Sequence, residues 1–229
     1  MTTTRAGGVS KPPYDQLNLA DHVGDQLENV ISNRKILVNQ LSLPGEPKWL
    51  KQVHGHNVVN ASNIISGLAQ ADASFTVDAN IVCTVMTADC LPIALADSQG
   101  ECIGVVHAGW RGLLGGVIQK AIVAMSQFSK PEYAWLGPAL SPDAFEVEAD
   151  VYHAYLTENK QFAQAFAIKN SNKWSFDIYQ AAKMILMSEG VNQVFGGQHC
   201  TYGDSEQFYS YRRDGVTGRM ATLIWKSQK

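Results

Sequence analysis

The stretch NIVCTVMTADCLPIALADSQGECIGVVHAGWRGLLGGVIQKAIVAM, residues 80–125, decides how this chain folds. Residues 80–86 are apolar and β-branched and predict a buried strand; residues 93–96 predict a second and 102–106 a third. Beyond the glycines at 109, 112, 115 and 116 the period changes. Val117, Ile118, Ala121, Ile122 and Met125 fall on one helical face that ends near Phe128 and Pro131. The resulting strand–loop–helix unit presents His107 at its turn. Cys90 follows Asp89 at the end of the first strand and precedes Leu91-Pro92, which directs the chain away from helix and towards a loop.

Upstream, Leu27, Val30, Ile31 and Ile36 keep roughly helical spacing, so a helix is expected over 25–37, with Asp25 and Glu28 resembling a capping box. Downstream, residues 133–136 predict a strand stopped by Gly137-Pro138. Ile178, Ala181, Ala182, Ile185 and Leu186 mark a helix that closes at Gly190, and residues 194–195, 208–211 and 221–225 predict further strands. Strands and helices do not alternate strictly. An α+β fold of mixed β-sheets packed with helices, as a single domain over 1–229, is therefore expected over a doubly wound sheet.

Hydrophobic residues make up 45% and charged residues 17%, with a formal net charge of -3. This is the profile of an ordinary soluble globular protein, without a nucleic-acid footprint. No apolar run approaches membrane-spanning length and residues 1–10 hold no signal-peptide core, so a cytoplasmic protein is expected. A monomer is the simplest expectation for one compact domain with this surface charge. Cys83, Cys90, Cys102 and Cys200 lack the density of a disulfide scaffold and are expected to be reduced.

Two imidazoles and a thiol, each beside an apolar run and in a loop-forming context, make a three-ligand set for a soft divalent metal with one position open. Cys90 and His107 are two of its members. The third is His54 or His56, which strand alternation would point to the same face. These spacings match neither a compact zinc finger nor H-E-x-x-H. Cys83 and Cys102 sit inside apolar runs and read as small buried hydrophobes. Cys90 and His107 are also the parts of a thiol nucleophile with its activating imidazole. Arg5 beside Gly7-Gly8, Arg111 beside Trp110 and Gly112, and the Arg212-Arg213-Asp214-Gly215 turn are candidates for meeting an anion.

The ordered segments Thr4-Arg5-Ala6-Gly7-Gly8-Val9-Ser10, Gln52-Val53-His54-Gly55, Ala71-Asp72-Ala73, residues 87–92, residues 107–112, Phe145-Glu146-Val147 and residues 208–214, with Thr217-Gly218-Arg219-Met220-Ala221, resemble a known family. These are the bacterial polyphenol oxidase or laccase-domain proteins, regarded as purine nucleoside phosphorylases and once grouped with cysteine hydrolases of the cytotoxic necrotizing factor type. The resemblance implies that His54, Cys90 and His107 bind one zinc ion, with copper as the alternative. It implies phosphorolysis of adenosine, guanosine, inosine and methylthioadenosine by inorganic phosphate to base and pentose 1-phosphate, with adenosine deamination on the side.

On that footing Arg5 is expected to hold phosphate, with Arg111 as a second contact and Asp89 as an orienting or acid–base carboxylate beside Cys90. Relatives usually carry a short extension before the Thr-Arg-x-Gly-Gly-Val-Ser segment, so Arg5 is expected near a fraying terminus. Many relatives have glycine at the position of Glu148, so a non-glycine residue here implies a negative φ or a tolerated strain. The competing functions are a copper-dependent polyphenol oxidase, a Cys90–His107 amide hydrolase acting on peptidoglycan precursors, and a non-catalytic metal-dependent interaction protein. Against the oxidase, the chain has six histidines and lacks a multicopper ligand set.

Overall fold

The computed structural model describes residues 1–227. In chain order the strands are β1 (Val58–Asn60), β2 (Ala73–Thr76), β3 (Cys83–Thr87), β4 (Leu91–Ala96), β5 (Ile103–Ala108), β6 (Tyr133–Leu136), β7 (Glu146–Glu148), β8 (Phe166–Asn170), β9 (Lys173–Phe176), β10 (Gln193–Gly196) and β11 (Met220–Ile224). The helices are α1 (Leu27–Gln40), α2 (Trp110–Leu114), α3 (Val117–Ser126), α4 (Ala149–Glu158), α5 (Ile178–Ser188) and α6 (Tyr211–Asp214).

The main sheet runs β1-β2-β5-β4-β6-β10, with β1–β2 and β6–β10 parallel and the remaining pairs antiparallel. This is the mixed α+β architecture expected. The centre of the sheet is almost wholly apolar, because β4 and β5 are buried along nearly their full length. Pro92 is tolerated in β4 because it stands near the strand start, where its carbonyl accepts from Gly137 N–H and its missing N–H breaks little of the ladder. Helix α3 lays its apolar face on β2 and β5 of this sheet and α5 packs against α3, and Val117, Ile118, Ala121, Ile122 and Met125 are all buried as their spacing predicts. A second sheet pairs β3 with β11, and a third is ordered β7-β9-β8.

Several expectations are corrected. Residues 208–211 are not a strand: Phe208 and Tyr209 pack with Ala88 and Met220, and Ser210 caps α6 by accepting from Arg213 N–H. Asp25 does not form a capping box. The cap position is Gln26, while the Asp25 carboxylate accepts from Ser10, Asn18 and Gln26 N–H. The strand expected from residue 80 begins at Cys83, since Asn80 has a left-handed φ of 65°. The start of the chain is bound rather than frayed: Thr3 N–H donates to Ala221 O, and Leu223 N–H donates to Met1 O along β11. Glu148 has φ -88°, the negative value and not the strained alternative. Among the described residues, no helix is long and apolar enough to cross a membrane.

Candidate metal centre and active site

Three separate backbone segments deliver the metal-type ligands to one end of the main sheet. His107 is the penultimate residue of β5, Cys90 lies in the short link from β3 to β4, and His54 stands in the loop before β1. Their donor atoms lie within 4.8 Å of one another, and the two imidazoles meet edge to face with centroids 4.8 Å apart. A tetrahedral zinc ion bonded at ~2.1 Å to nitrogen and ~2.3 Å to sulfur holds its donors roughly 3.4–3.6 Å apart, so the widest pair closes on an ion by about 1 Å. Gly109 makes the approach possible. A Cβ there would sit 3.0 Å from Cys90 Sγ and 3.2 Å from the His54 ring.

What holds this geometry is Asp72, immediately before β2 and wholly buried. Its Oδ1 accepts from His54 N–H at 2.9 Å and pairs with His107 Nδ1 at 2.8 Å; its Oδ2 accepts from Gly55 N–H at 2.7 Å and Val53 N–H at 3.3 Å. One carboxylate thus folds the 53–55 loop and orients the second imidazole, leaving His107 Nε2 as the ring's remaining donor. The loop is strained as well as bonded: His54 has φ 58°, and Asp89 beside Cys90 has φ 94°. Left-handed backbone at non-glycine residues persists where surroundings over-determine it.

Burial works against a thiolate at Cys90, but the charge of His107 and hydrogen bonds from both imidazoles bring the thiol down to about 6. Burial likewise opposes an imidazolium at His107, yet the Cys90 charge and the Asp72 hydrogen bond raise it to about 9. A thiolate between two imidazoles is a donor set for zinc or copper, and the cluster can hold a metal ion. Among the described residues this is the one cluster with such spacing.

The cluster forms the floor of a pocket of about 530 Å³. Trp110, Leu140, Phe145 and Ile178 contribute apolar wall, and Arg111, Arg212 and Arg219 contribute guanidinium groups. Asp89 is buried in the same wall, with Oδ1 accepting from Thr201 Oγ1 at 2.7 Å and Oδ2 from Arg212 N–H at 2.6 Å. Arg111 is exposed and stacks on Trp110 with 4.2 Å to the ring centroid.

Arg5 is not brought to this pocket. Its guanidinium donates to Asp15 O, the Asp15 carboxylate and Ser205 O, and lies over the Tyr209 ring, so its expected phosphate role gives way to tethering the N-terminal segment. His56 is also excluded from the floor and packs beside Gly115. Sequence reasoning assigned no role to Asp72 or Arg219. The signals for Asp72 were its place in the Ala71-Asp72-Ala73 segment of the family resemblance and a lone carboxylate between small apolar residues.

The family described as multi-copper polyphenol oxidoreductase laccase matches residues 1–227. This chain belongs to that family. The purine nucleoside phosphorylase YfiH of Shigella flexneri is 46% identical over 224 residues, covering 98% of this chain and 92% of the relative. A purine nucleoside phosphorylase of Haemophilus influenzae is 43% identical over 229 residues, with 98% and 92% covered. A crystal structure of a Neisseria meningitidis protein matches with a TM-score of 0.94 at 48% identity, covering 99% of this chain and 93% of that one.

Proposed function

We propose that this family member is a zinc-dependent purine nucleoside phosphorylase. It would convert adenosine, guanosine, inosine and methylthioadenosine, with inorganic phosphate, into free base and pentose 1-phosphate, and deaminate adenosine as a side activity. Relatives at 46% and 43% identity that carry the name purine nucleoside phosphorylase support this reading. The observation that carries it is the convergence of His54, Cys90 and His107 on the floor of a pocket whose walls combine apolar and guanidinium groups. A pocket of about 530 Å³ suits a nucleoside-sized ligand, its apolar wall a flat base, and its arginines an anion.

Zinc bound by these three side chains would supply a Lewis acid with an open position beside the nucleoside. Asp72 fixes the His107 ring through Nδ1, so that Nε2 faces the ion site. Asp89 orients the link that carries Cys90, and Arg111, exposed at the pocket and stacked on Trp110, offers phosphate a second, outer contact. Leu140, Phe145 and Ile178 keep bulk water from the base.

One contact favours a second reading. Cys90, His107 and Asp72 stand in the order of nucleophile, base and orienting carboxylate of a cysteine hydrolase. Metal analysis paired with an inosine assay separates the two. The expected result is about one zinc per chain and hypoxanthine released only with phosphate, lost on chelation and restored by zinc. Release without phosphate that survives chelation and stops on thiol alkylation would establish the hydrolase instead.

A further inference from the structure

Phosphorolysis needs a place for a doubly charged anion, and the arginines of this chain divide sharply in their freedom to provide it. Arg5 is taken up by Asp15 and Ser205, and Arg34 by Leu19 O, Asp21 and the face of Trp49. Arg213 is held by Thr201 O, Tyr202 O, Phe208 O and the Asp214 carboxylate. These three are internal ties. Arg219 differs: its guanidinium lies over the Tyr211 ring at 5.9 Å, but of its nitrogens only Nη1 is hydrogen-bonded, donating to Thr217 O at 2.8 Å and Gly218 O at 2.9 Å. Among the described residues its Nε and Nη2 have no protein acceptor, although the side chain is half-buried in the pocket wall and within electrostatic reach of Cys90 and Asp89.

Arg212 lines the same pocket. Its guanidinium makes one hydrogen bond, Nη1 to Glu146 O at 3.1 Å, and leans on the Phe145 ring. The nearby Asp89 carboxylate forms no ion pair with either guanidinium; its oxygens accept from Thr201 Oγ1 and the Arg212 backbone N–H. A third group points the same way: Thr87 lies on the pocket wall, is 1% exposed, and among the described residues its hydroxyl has no partner. A buried hydroxyl left without a partner is costly unless a ligand completes it.

We propose that Arg219 and Arg212, with the Thr87 hydroxyl, form the subsite that holds inorganic phosphate and then the phosphate of the pentose 1-phosphate product. The assignment rests on the phosphorylase reading for its substrate, and on the free donors for its location. Arg219, anchored through one terminal nitrogen, presents its other two nitrogens as a fixed fork, the geometry that phosphate oxygens accept in pairs.

Calorimetric titration of inorganic phosphate into the zinc-loaded protein tests the subsite directly, alongside the KM for phosphate in inosine cleavage. Arg219→Gln is expected to weaken phosphate binding roughly 10- to 100-fold, at unchanged zinc content, with partial rescue by Arg219→Lys. Arg212→Gln, at an exposed side chain that folding does not need, is expected to weaken it about fivefold. Arg5→Gln is expected to leave phosphate affinity within about twofold.

Wild-type phosphate affinity in both pocket variants, loss of binding in Arg5→Gln alone, or no phosphate binding by the wild type would overturn the proposal. If the wild type binds phosphate through Arg219 yet releases no base, the subsite stands and the phosphorylase reading falls. If the wild type cleaves inosine with phosphate while both variants keep its KM, the reverse holds.

Discussion

The floor of the pocket and its C-terminal wall are built by opposite means. The floor takes its ligands from β5, the β3–β4 link and one loop clamped by Asp72, and the groups that position them are buried. The wall comes from residues 200–219, where α6 is four residues long and its side chains are mostly exposed. It is moored by Arg213 and by the Asp89 carboxylate, which reaches Thr201 and Arg212. Buried charge pairs tolerate little change, whereas exposed polar moorings can vary at small cost. On the proposed function, changes at the floor are therefore expected to act on metal binding and changes at the wall on substrate affinity.

Removing the clamp should have the largest effect. Asp72→Asn puts an amide among donors that need a carboxylate, and metal affinity is expected to fall roughly 10- to 100-fold. Stability of the metal-free form should drop by about 3 kcal/mol. A zinc-chelator competition and a urea melt measure the two, and an unchanged zinc affinity would remove the contrast between floor and wall.

The pH response of the metal-free protein sharpens the same contrast. Cys90, lowered to about 6, contributes stability present at high pH and lost as pH falls through about 6. His107, raised to about 9, contributes stability present at low pH and lost as pH rises through about 9. The thiolate–imidazolium pair is thus intact between these limits. Alkylation of Cys90 by iodoacetamide at pH 7 should run about tenfold faster than at an unperturbed thiol, with its midpoint near pH 6 and with protection by zinc. A midpoint near the usual thiol range would show that the imidazoles do not stabilise the sulfur.

Unmooring the wall should act on substrate alone. Asp89→Asn faces Arg212 N–H or Thr201 Oγ1 with an amide donor, so the KM for phosphate is expected to rise about threefold at full zinc content. Loss of zinc together with phosphate affinity would join floor and wall into one unit. The smallest effect is expected at Arg5, which lies outside the pocket although it bonds to Ser205 of the wall. Arg5→Gln should cost about 1 kcal/mol, read as a Tm fall of roughly 2–4 °C.

Legibility in the sequence followed how local the physics was. The α3 and α5 stripes and the apolar runs of β4 and β5 were readable because their burial is written into residue spacing. The strands β1, β2, β7, β8 and β9 and the helix α4 were not, being three- to five-residue segments or polar on most faces. His54 and His56 were inseparable by strand alternation because the loop is no strand: a left-handed residue 54 turns its ring to the floor while His56 packs against Gly115. Arg5 misled for the converse reason. Its glycine neighbours are local, but the Asp15 and Ser205 groups that capture it belong to other segments, one of them 200 residues away.

By itself the amino-acid order determined the α+β class, the buried strands, the two principal helices and, with the family resemblance, the two imidazoles and thiol of the metal-type set. Folding in three dimensions alone decided that Asp72 clamps them, that Arg5 is a tether, and that Arg219 keeps donors free beside the pocket. The division is physical: hydrophobic periodicity is a property of neighbours along the chain, whereas the partners of a buried charge are chosen by which distant segments meet.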